Sequence, residues 1–279
     1  MKWIGLWLLL LSEAGMLAKV EPFWTWHTPI AWTGYILFVD GLVYQRRGSS
    51  WLTTDYRELA FLAVASIPLW LVFEGYNLLI RNWHYINLPE NPVVRYAGFA
   101  WAFATISPAI FVTAELIAAL RGAPSGGRID DRITPAPPRE HPTLDHALVA
   151  VGAAMLLWPI VWPSPYLAAP VFLGFVLLLD PINAWRGDPS LLGDIRRGDW
   201  ARMQNILAGG FICGALWEFW NYWARAKWIY TVPIVGDLKI FEMPVLGYFG
   251  FPPFALECFA MYVFVRRIFW RRPGRRIGL

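Results

Sequence analysis

Residues 217–233, WEFWNYWARAKWIYTVP, repeat a pattern that the chain already carries at 73–89 as FEGYNLLIRNWHYINLP. A second related pair is GYILFVDGLVYQRRGSSWL at 34–52 and GFVLLLDPINAWRGDPSLL at 174–192. Matches in the same order at near-constant spacing predict an internal duplication of the chain. The identities in the first pair are Glu74 with Glu218, Asn77 with Asn221, Trp83 with Trp228, Tyr85 with Tyr230, and Pro89 with Pro233.

The composition is that of a polytopic membrane protein. Of the 279 residues, 57% are apolar and 16% are charged, whereas roughly 25% are charged in an ordinary soluble domain. Apolar runs long enough to span a bilayer recur along the whole chain. We expect eight transmembrane helices, at 3–18, 29–45, 58–80, 93–120, 146–163, 167–185, 203–224 and 246–268.

The basic residues indicate the orientation of these spans. If the N-terminus is cytoplasmic, 18 of the 24 Lys and Arg residues fall in segments on the inner side. That asymmetry agrees with the positive-inside rule and requires an even number of spans. We therefore expect both termini to be cytoplasmic and the protein to lie in the inner (plasma) membrane of a bacterium.

The duplication and the spans together predict an all-α fold of two parallel four-helix repeats. We expect a first transmembrane repeat at 1–120, a cytoplasmic linker rich in Pro and Gly at 121–145, and a second repeat with a basic cytoplasmic tail at 146–279. Because four spans per unit leave both copies in one orientation, their pseudo-two-fold axis should run along the membrane normal.

Each half carries a Glu and an Asn near the outer end of its third span. The spacing from Glu74 to Asn77 and from Glu218 to Asn221 places both side chains on one helix face. Polar groups at membrane depth usually face the bundle interior, because exposure to lipid is costly. We expect both pairs to open toward one cleft on the outer side, where Asn77 and Asn221 would orient the carboxyl groups.

Other buried acids fall into two groups. Glu115 and Glu257 lie in the last span of each half, and we count both as candidate catalytic residues beside Glu74 and Glu218. Asp40 and Asp180 lie near cytoplasmic span ends, where ion pairs with Arg46, Arg47 and Arg186 are the expected role.

Several other kinds of site are not indicated. The histidines His27, His84, His141 and His146 lack metal-ligand spacing, so we expect no metal site. No phosphate-binding glycine loop is present, and we expect no cofactor. The basic residues are confined to short loops, which does not suggest nucleic acid binding. Two cysteines within apolar runs make a disulfide framework unfavourable, and the sequence does not indicate the oligomeric state.

The acids and aromatic rings together suit proton-initiated chemistry on a lipophilic substrate. An apolar environment favours the neutral form of a carboxylic acid, which can then donate a proton to a double bond. Aromatic faces stabilise the carbocation that results. The residues that we expect to line the pocket are Trp217, Trp228, Tyr230, Trp83 and Tyr85.

The same residues carry a family resemblance. Each half has a W/F-E-x-x-N helix end, followed by W-x-Y and by a Pro-bearing loop that leads into an aromatic span with a Glu. This order of motifs resembles the small membrane-type lycopene cyclases, most closely at 228–259. The WEFWN pattern is also similar to membrane meroterpenoid cyclases. The Pro-x-Glu-Glu motif of lycopene cyclases is absent, and 241–244 and 252–257 approach it with one Glu each. The resemblance implies an isomerase-class isoprenoid cyclase, as in carotenoid biosynthesis, that acts without redox change.

Non-enzymatic alternatives remain open. The duplicated Glu–Asn pairs would also suit a transporter or a lipid-binding membrane protein. A structural or assembly subunit of a membrane complex would use the Trp-rich faces as protein contacts. A prenyltransferase is less favoured, because the Asp-rich stretch 177–199 lacks the short regular spacing of magnesium–diphosphate sites.

Overall fold

The described part of the chain is mostly α-helical. The computed structural model describes residues 1–122, 128–129, 142–234, 236–270 and 274–279. Its long helices are α1 (Lys2–Leu17), α2 (His27–Arg47), α4 (Tyr56–Ile80), α5 (Pro92–Leu120), α6 (Pro142–Val161), α7 (Ala168–Trp185), α9 (Ala201–Trp223) and α10 (Phe251–Phe269).

Short elements connect the long helices. The short helices are α3 (Trp51–Thr54), α8 (Leu191–Arg196) and a 3₁₀ turn at Val245–Gly250. The strands are β1 (Trp83–Ile86), β2 (Arg128–Ile129), β3 (Lys227–Tyr230), β4 (Lys239–Ile240), β5 (Met243–Pro244) and β6 (Gly274–Arg275). They form three antiparallel pairs, β1 with β3, β2 with β6, and β4 with β5. The sequence interpretation contained no strands.

Five helical segments of the described residues are long and apolar enough to cross a membrane. They are α4, α5, α6, α7 and the continuous stretch Val245–Phe269 that contains α10. With 16 residues, α1 is shorter than these five. The helices α2 and α9 are also absent from this set, so the count of eight spans stays a prediction.

Glycines set the closest helix contacts in both halves of the chain. A Cβ atom added to Gly5 of α1 would lie 2.3 Å from the backbone nitrogen of Phe38 in α2. In the second half, a Cβ atom on Gly152 of α6 would lie 2.5 Å from the backbone nitrogen of Leu178 in α7. The first two helices of each half therefore approach each other with almost no room between their backbones.

The strand pair β1–β3 joins the ends of α4 and α9. Its register places Trp83 opposite Tyr230 and Tyr85 opposite Trp228. The pairing continues beyond the strands, because the Thr231 backbone N–H donates to the Asn82 carbonyl oxygen at 2.8 Å. The two stretches that the sequence predicts to be copies are thus in direct contact.

The described C-terminal residues 274–279 pack against the bundle, and all but Arg276 and Leu279 are buried. The Arg275 side chain is only 3% exposed, although the sequence suggested a basic cytoplasmic tail. Its Nε atom donates to both carboxylate oxygens of Glu115 at 2.9 Å, and its Nη1 atom lies 2.8 Å from Asp55 Oδ2. The Arg275 backbone N–H donates to Glu58 Oε2 at 2.8 Å.

The segment between the two halves of the chain is only partly described. Most of the expected linker 121–145 lies outside the described residues, and α6 begins at Pro142, before the expected boundary.

The described hydrogen bonds of Asp40 and Asp180 are not the expected arginine pairs. Asp40 accepts from Ser50 Oγ and the Leu52 N–H, and Asp180 accepts from the backbone N–H groups of Leu191 and Leu192. Both aspartates therefore anchor the loop that follows their helix.

Candidate functional site

An aromatic cavity of about 440 Å³ lies where the β1–β3 pair meets the surrounding helices. Its walls come from the starts of α2, α5, α7 and α10 and from the ends of α4 and α9. Among the aromatic side chains that line it are Trp32, Trp70, Phe99, Phe103, Phe172 and Phe254. The size falls in the usual range for a small-molecule site, which is roughly 300–1,000 Å³.

The structure brings the five aromatic residues expected in the pocket to this one cavity. Trp83, Tyr85, Trp217, Trp228 and Tyr230 all contribute to its lining. Four of them alternate along β1 and β3, so the period-two geometry of a strand turns them to the same face. The strand pairing therefore places the Trp of each strand opposite the Tyr of the other.

Glu74 lies behind this aromatic wall and accepts three hydrogen bonds. Its Oε1 atom accepts from Tyr85 Oη at 2.5 Å, from Trp70 Nε1 at 2.8 Å and from Trp83 Nε1 at 3.2 Å. All three donors line the cavity, but Glu74 itself does not. The carboxylate is thus connected to the cavity through three aromatic side chains.

Glu218 has the equivalent position in the second half and different surroundings. It is 0% exposed, and its Oε1 atom accepts from Tyr230 Oη at 2.8 Å. The Tyr230 oxygen in turn accepts from Trp228 Nε1 at 2.8 Å. Among the described residues, Glu218 Oε2 has no hydrogen-bond partner. Glu218 is therefore more deeply buried and less fully hydrogen-bonded than Glu74.

The two asparagines do not orient the carboxyl groups as expected. Asn77 donates to the Trp83 carbonyl oxygen at 2.8 Å and accepts from the Trp83 N–H at 3.2 Å. Asn221 makes the equivalent pair of bonds with the backbone of Trp228, both at 2.9 Å. Their described bonds therefore hold the backbone of Trp83 in β1 and of Trp228 in β3. The side chains that donate to Glu74 and Glu218 are aromatic.

The two tyrosines beside the acids remain protonated donors. Burial raises the pKa of Tyr85 and of Tyr230 well above the usual value of 10.0. The negative charge of Glu74 raises the pKa of Tyr85 further. Both hydroxyl groups therefore donate to their carboxyl partners at neutral pH.

The remaining two candidate acids lie apart from the cavity lining. Glu257 is fully buried one turn after Phe254, and its Oε1 atom accepts from the Phe175 N–H at 2.8 Å. Its Oε2 atom has no partner among the described residues. Glu115 lies near the other end of α5 and binds Arg275. Glu257 is thus near the cavity floor, whereas Glu115 belongs to a separate ionic cluster.

Some lining residues were missed by the sequence interpretation. Trp70 lies four residues before Glu74 in α4, and that helical spacing could have identified it. Trp32 in α2 is 4.7 Å from Trp220 between ring centroids and 5.7 Å from Trp217. No pattern in the sequence links α2 to the end of α9, because this contact arises only in the folded bundle.

The rim of the cavity is apolar and exposed. Leu246 and Phe249 in the 3₁₀ turn are 51% and 71% exposed and also line the cavity. Ala169 and Leu173 in α7 are likewise both exposed and part of the lining. An opening framed by exposed apolar side chains suits a ligand that arrives from lipid.

Comparisons with known proteins give no assignment, because no family model, curated protein or solved structure matches the chain. Within the described residues, no group of three or more His, Cys, Asp or Glu side chains could hold a metal ion.

Proposed function

We propose that the chain is an integral membrane isoprenoid cyclase-like protein that binds a lipophilic polyene in the aromatic cavity. The observation that carries this proposal is the convergence of two Glu–Tyr pairs on one cavity through the β1–β3 pairing. The aromatic walls would stabilise a carbocation through their ring faces. The resemblance to small membrane-type lycopene cyclases and to membrane meroterpenoid cyclases supports the same reaction class.

The different surroundings of the two acids support different roles. Glu218, buried and with one unpartnered oxygen, suits the proton donor, whereas Glu74, which accepts three hydrogen bonds, suits the proton acceptor. Tyr230 and Tyr85 lie between these acids and the cavity, so each proton would pass through a tyrosine hydroxyl group.

The reaction balances without a redox partner. Tyr230 gives its proton to one carbon of a substrate double bond and takes the proton of Glu218, which leaves a carbocation on the substrate. A second double bond attacks that cation and closes the ring. The new cation loses a proton to Tyr85, whose own proton moves to Glu74, and a double bond forms. One proton then returns from Glu74 to Glu218, and the net change is an isomerisation.

The finer membrane layout is part of this proposal. Eight spans, in two parallel four-helix repeats with both termini cytoplasmic, are supported by eight long helices and by the equivalent glycine contacts of Gly5 and Gly152. The basic residues support the inner membrane of a bacterium as the location. The exposed apolar rim at Leu246 and Phe249 supports entry of the substrate from the bilayer.

A second candidate is a lipid-binding or transport protein. The observation that favours it is the position of Glu74 and Glu218 behind the tyrosines, outside the cavity lining. A ligand in this cavity would contact indole and phenol groups and would need no proton transfer. Binding of a polyene without formation of any product would favour this second function.

The test is expression in cells that make lycopene or a prenylated quinone, with product analysis by chromatography. We expect a cyclised product of unchanged mass from the wild type, and a loss of about 100-fold or more in Glu218→Gln because its donated proton is removed. The exposed Glu90 gives a matched control, and Glu90→Gln should behave as wild type. No product from either substrate, or full activity in Glu218→Gln, would overturn the cyclase proposal.

A further inference from the structure

The helices α4 and α9 differ at the position four residues before their glutamates. That position is Trp70 in α4, before Glu74, and Gly214 in α9, before Glu218. Residues four apart are neighbours on one helix face, so a side chain at this position can reach the carboxyl group. The two copies of the repeated pattern thus have an indole group and a hydrogen atom at equivalent places.

Trp70 uses this position to bind Glu74. Its Nε1 atom donates to Glu74 Oε1 at 2.8 Å, which is shorter than the 3.2 Å bond from Trp83 Nε1 to the same oxygen. The Trp70 ring lines the cavity and packs with its centroid 5.7 Å from that of Phe73 and 5.9 Å from that of Trp83. Neighbouring rings therefore hold the indole N–H of Trp70 against the carboxyl group.

Gly214 has no room for a side chain of its own. A Cβ atom added there would lie 2.2 Å from the Cγ and Cδ2 atoms of Phe251. Phe251 is the first residue of α10, and it lines the cavity. Its ring carries no N–H or O–H group. A side chain that cannot donate therefore packs where a side chain at position 214 would begin.

Glu218 consequently has fewer donors than Glu74. Its Oε1 atom accepts from Tyr230 Oη at 2.8 Å, and its Oε2 atom has no partner among the described residues. Trp228, the counterpart of Trp83, donates to Tyr230. Hydrogen bonds to a carboxylate stabilise its charged form. The two carboxyl groups thus differ in how strongly their ionised forms are stabilised.

Ion pairs do not account for this difference. Within the described part of the chain, neither Glu74 nor Glu218 forms a salt bridge with a Lys or Arg side chain. The other acid that acts on Glu218 is Glu242, and Lys227 Nζ lies 2.6 Å from its Oε1 atom. The remaining titratable groups beside the two acids are Tyr85, Tyr230 and Tyr248. Hydrogen-bond donors therefore distinguish the two glutamates.

We propose that Trp70 is a positioning residue that holds Glu74 in its ionised form, and that Gly214 leaves Glu218 as the protonated acid. This inference rests on the proposed function, in which Glu218 donates a proton and Glu74 accepts one, and it identifies the helix position that assigns the two roles. Without the indole N–H at position 70, both acids would carry protons and no base would remain beside the cavity.

The experiment is infrared spectroscopy of the purified full chain in nanodiscs at one fixed pH, because a carboxylic acid has a C=O stretching band that a carboxylate lacks. In the wild type, we expect Glu218→Gln to remove such a band and Glu74→Gln to remove none. Trp70→Phe keeps a ring and removes the donor. In that background Glu74→Gln should remove a new band, and the ratio of protonated to ionised Glu74 should rise about tenfold or more, since one hydrogen bond to a charged group is lost.

Trp32→Phe is the matched control. Trp32 also lines the cavity, but its Nε1 atom has no hydrogen-bond partner among the described residues. This variant should leave the Glu74 band absent. Elution as the wild type in size-exclusion chromatography shows that a variant is folded. If Trp70→Phe fails that check, Trp83→Phe decides in its place, because it removes the other indole donor to the same oxygen of Glu74.

The outcomes separate this inference from the proposed reaction. A Glu74 band already present in the wild type, or equal spectra for the donor variant and Trp32→Phe, would overturn the role of Trp70 even if a polyene is cyclised. A Glu74 band that appears only when an indole donor is removed would support it. If no cyclised product forms in that case, the assignment of the two acids stands and the cyclase proposal fails.

Discussion

Glu74 and Glu218 show how two copies of one sequence pattern acquire different local chemistry. Trp70 and Trp83 donate to the first carboxyl group along with its tyrosine, whereas Tyr230 is the described donor to the second. The difference arises because Trp228 Nε1 donates to Tyr230 Oη, while Trp83 Nε1 donates to Glu74 directly. A small change in indole position thus changes which atom receives the bond.

Asn221 provides a prediction at this scale, because it binds both backbone groups of Trp228. Asn221→Leu keeps the volume and leaves a buried N–H and a carbonyl oxygen unpaired. We expect the free energy of unfolding to fall by about 1–3 kcal/mol for this loss, measured by thermal unfolding in detergent. Asn221→Asp keeps the acceptor for the N–H group, so its loss should be smaller. Equal stability of Asn221→Leu and wild type would show that the strand is held by other contacts.

The sequence predicted which residue types gather at the site but not all of their contacts. The structure places Trp83, Tyr85, Trp228 and Tyr230 in the lining of one cavity, and Glu74 and Glu218 accept hydrogen bonds from the two tyrosines. The predicted role of Asn77 and Asn221, to orient the carboxyl groups, was wrong. Their amide groups instead bind backbone groups of Trp83 and Trp228. Those groups lie beyond the helix end, where spacing along the helix gives no information.

At the level of elements, the glycines of the first helix pair in each half determine how closely two helices pack. The backbone of α6 approaches that of α7 at Gly152, as α1 approaches α2 at Gly5. In membranes, association of helices depends on such close contacts between small residues, since lipid offers no hydrophobic driving force between helices.

Gly152→Ala tests this contact. Its Cβ atom would lie 2.5 Å from the Leu178 backbone nitrogen, and backbone atoms cannot move aside cheaply. We expect a loss of about 1–3 kcal/mol in the free energy of unfolding from overpacking. Gly75→Ala in α4 is the control, because a Cβ atom there meets no atom within 4 Å and alanine favours the helix. If both variants unfold at the same temperature, the α6–α7 contact does not limit stability.

The helices were easier to predict from sequence than the strands. Each of the eight expected spans overlaps with one long helix, because long apolar runs are a strong signal. The sequence interpretation gave the W-x-Y segments no secondary structure, yet they form β1 and β3. Their pairing joins residues far apart in the chain, as Tyr85 with Trp228 shows, and no local pattern reveals such a partner.

On the scale of the whole molecule, charge and cavity occupy opposite ends of the same helices. Glu58 lies near the start of α4 and Glu115 near the end of α5, whereas the cavity meets the other ends of both helices. Arg266 Nη1 and Arg275 compensate these acids within the bundle. The ionic end thus fixes the helices whose other ends form the cavity wall.

Arg275→Met tests the importance of this ionic end. The substitution removes the guanidinium group that donates to both carboxylate oxygens of Glu115, and Glu115 is fully buried. We expect the free energy of unfolding to fall by about 3–5 kcal/mol, as when one partner of a buried pair is removed. Arg276 is exposed and gives the control, since Arg276→Met should change stability little. A thermal unfolding curve for Arg275→Met that matches the control would contradict this role.

The ion pair between Glu115 and Arg275 also imposes an order on biosynthesis. Glu115 is translated 160 residues before its partner, so α5 is made while this acid still lacks Arg275. During that interval the carboxyl group has to bind water or a proton. The first helices can therefore reach their final packing only after α10 and the tail have been synthesised.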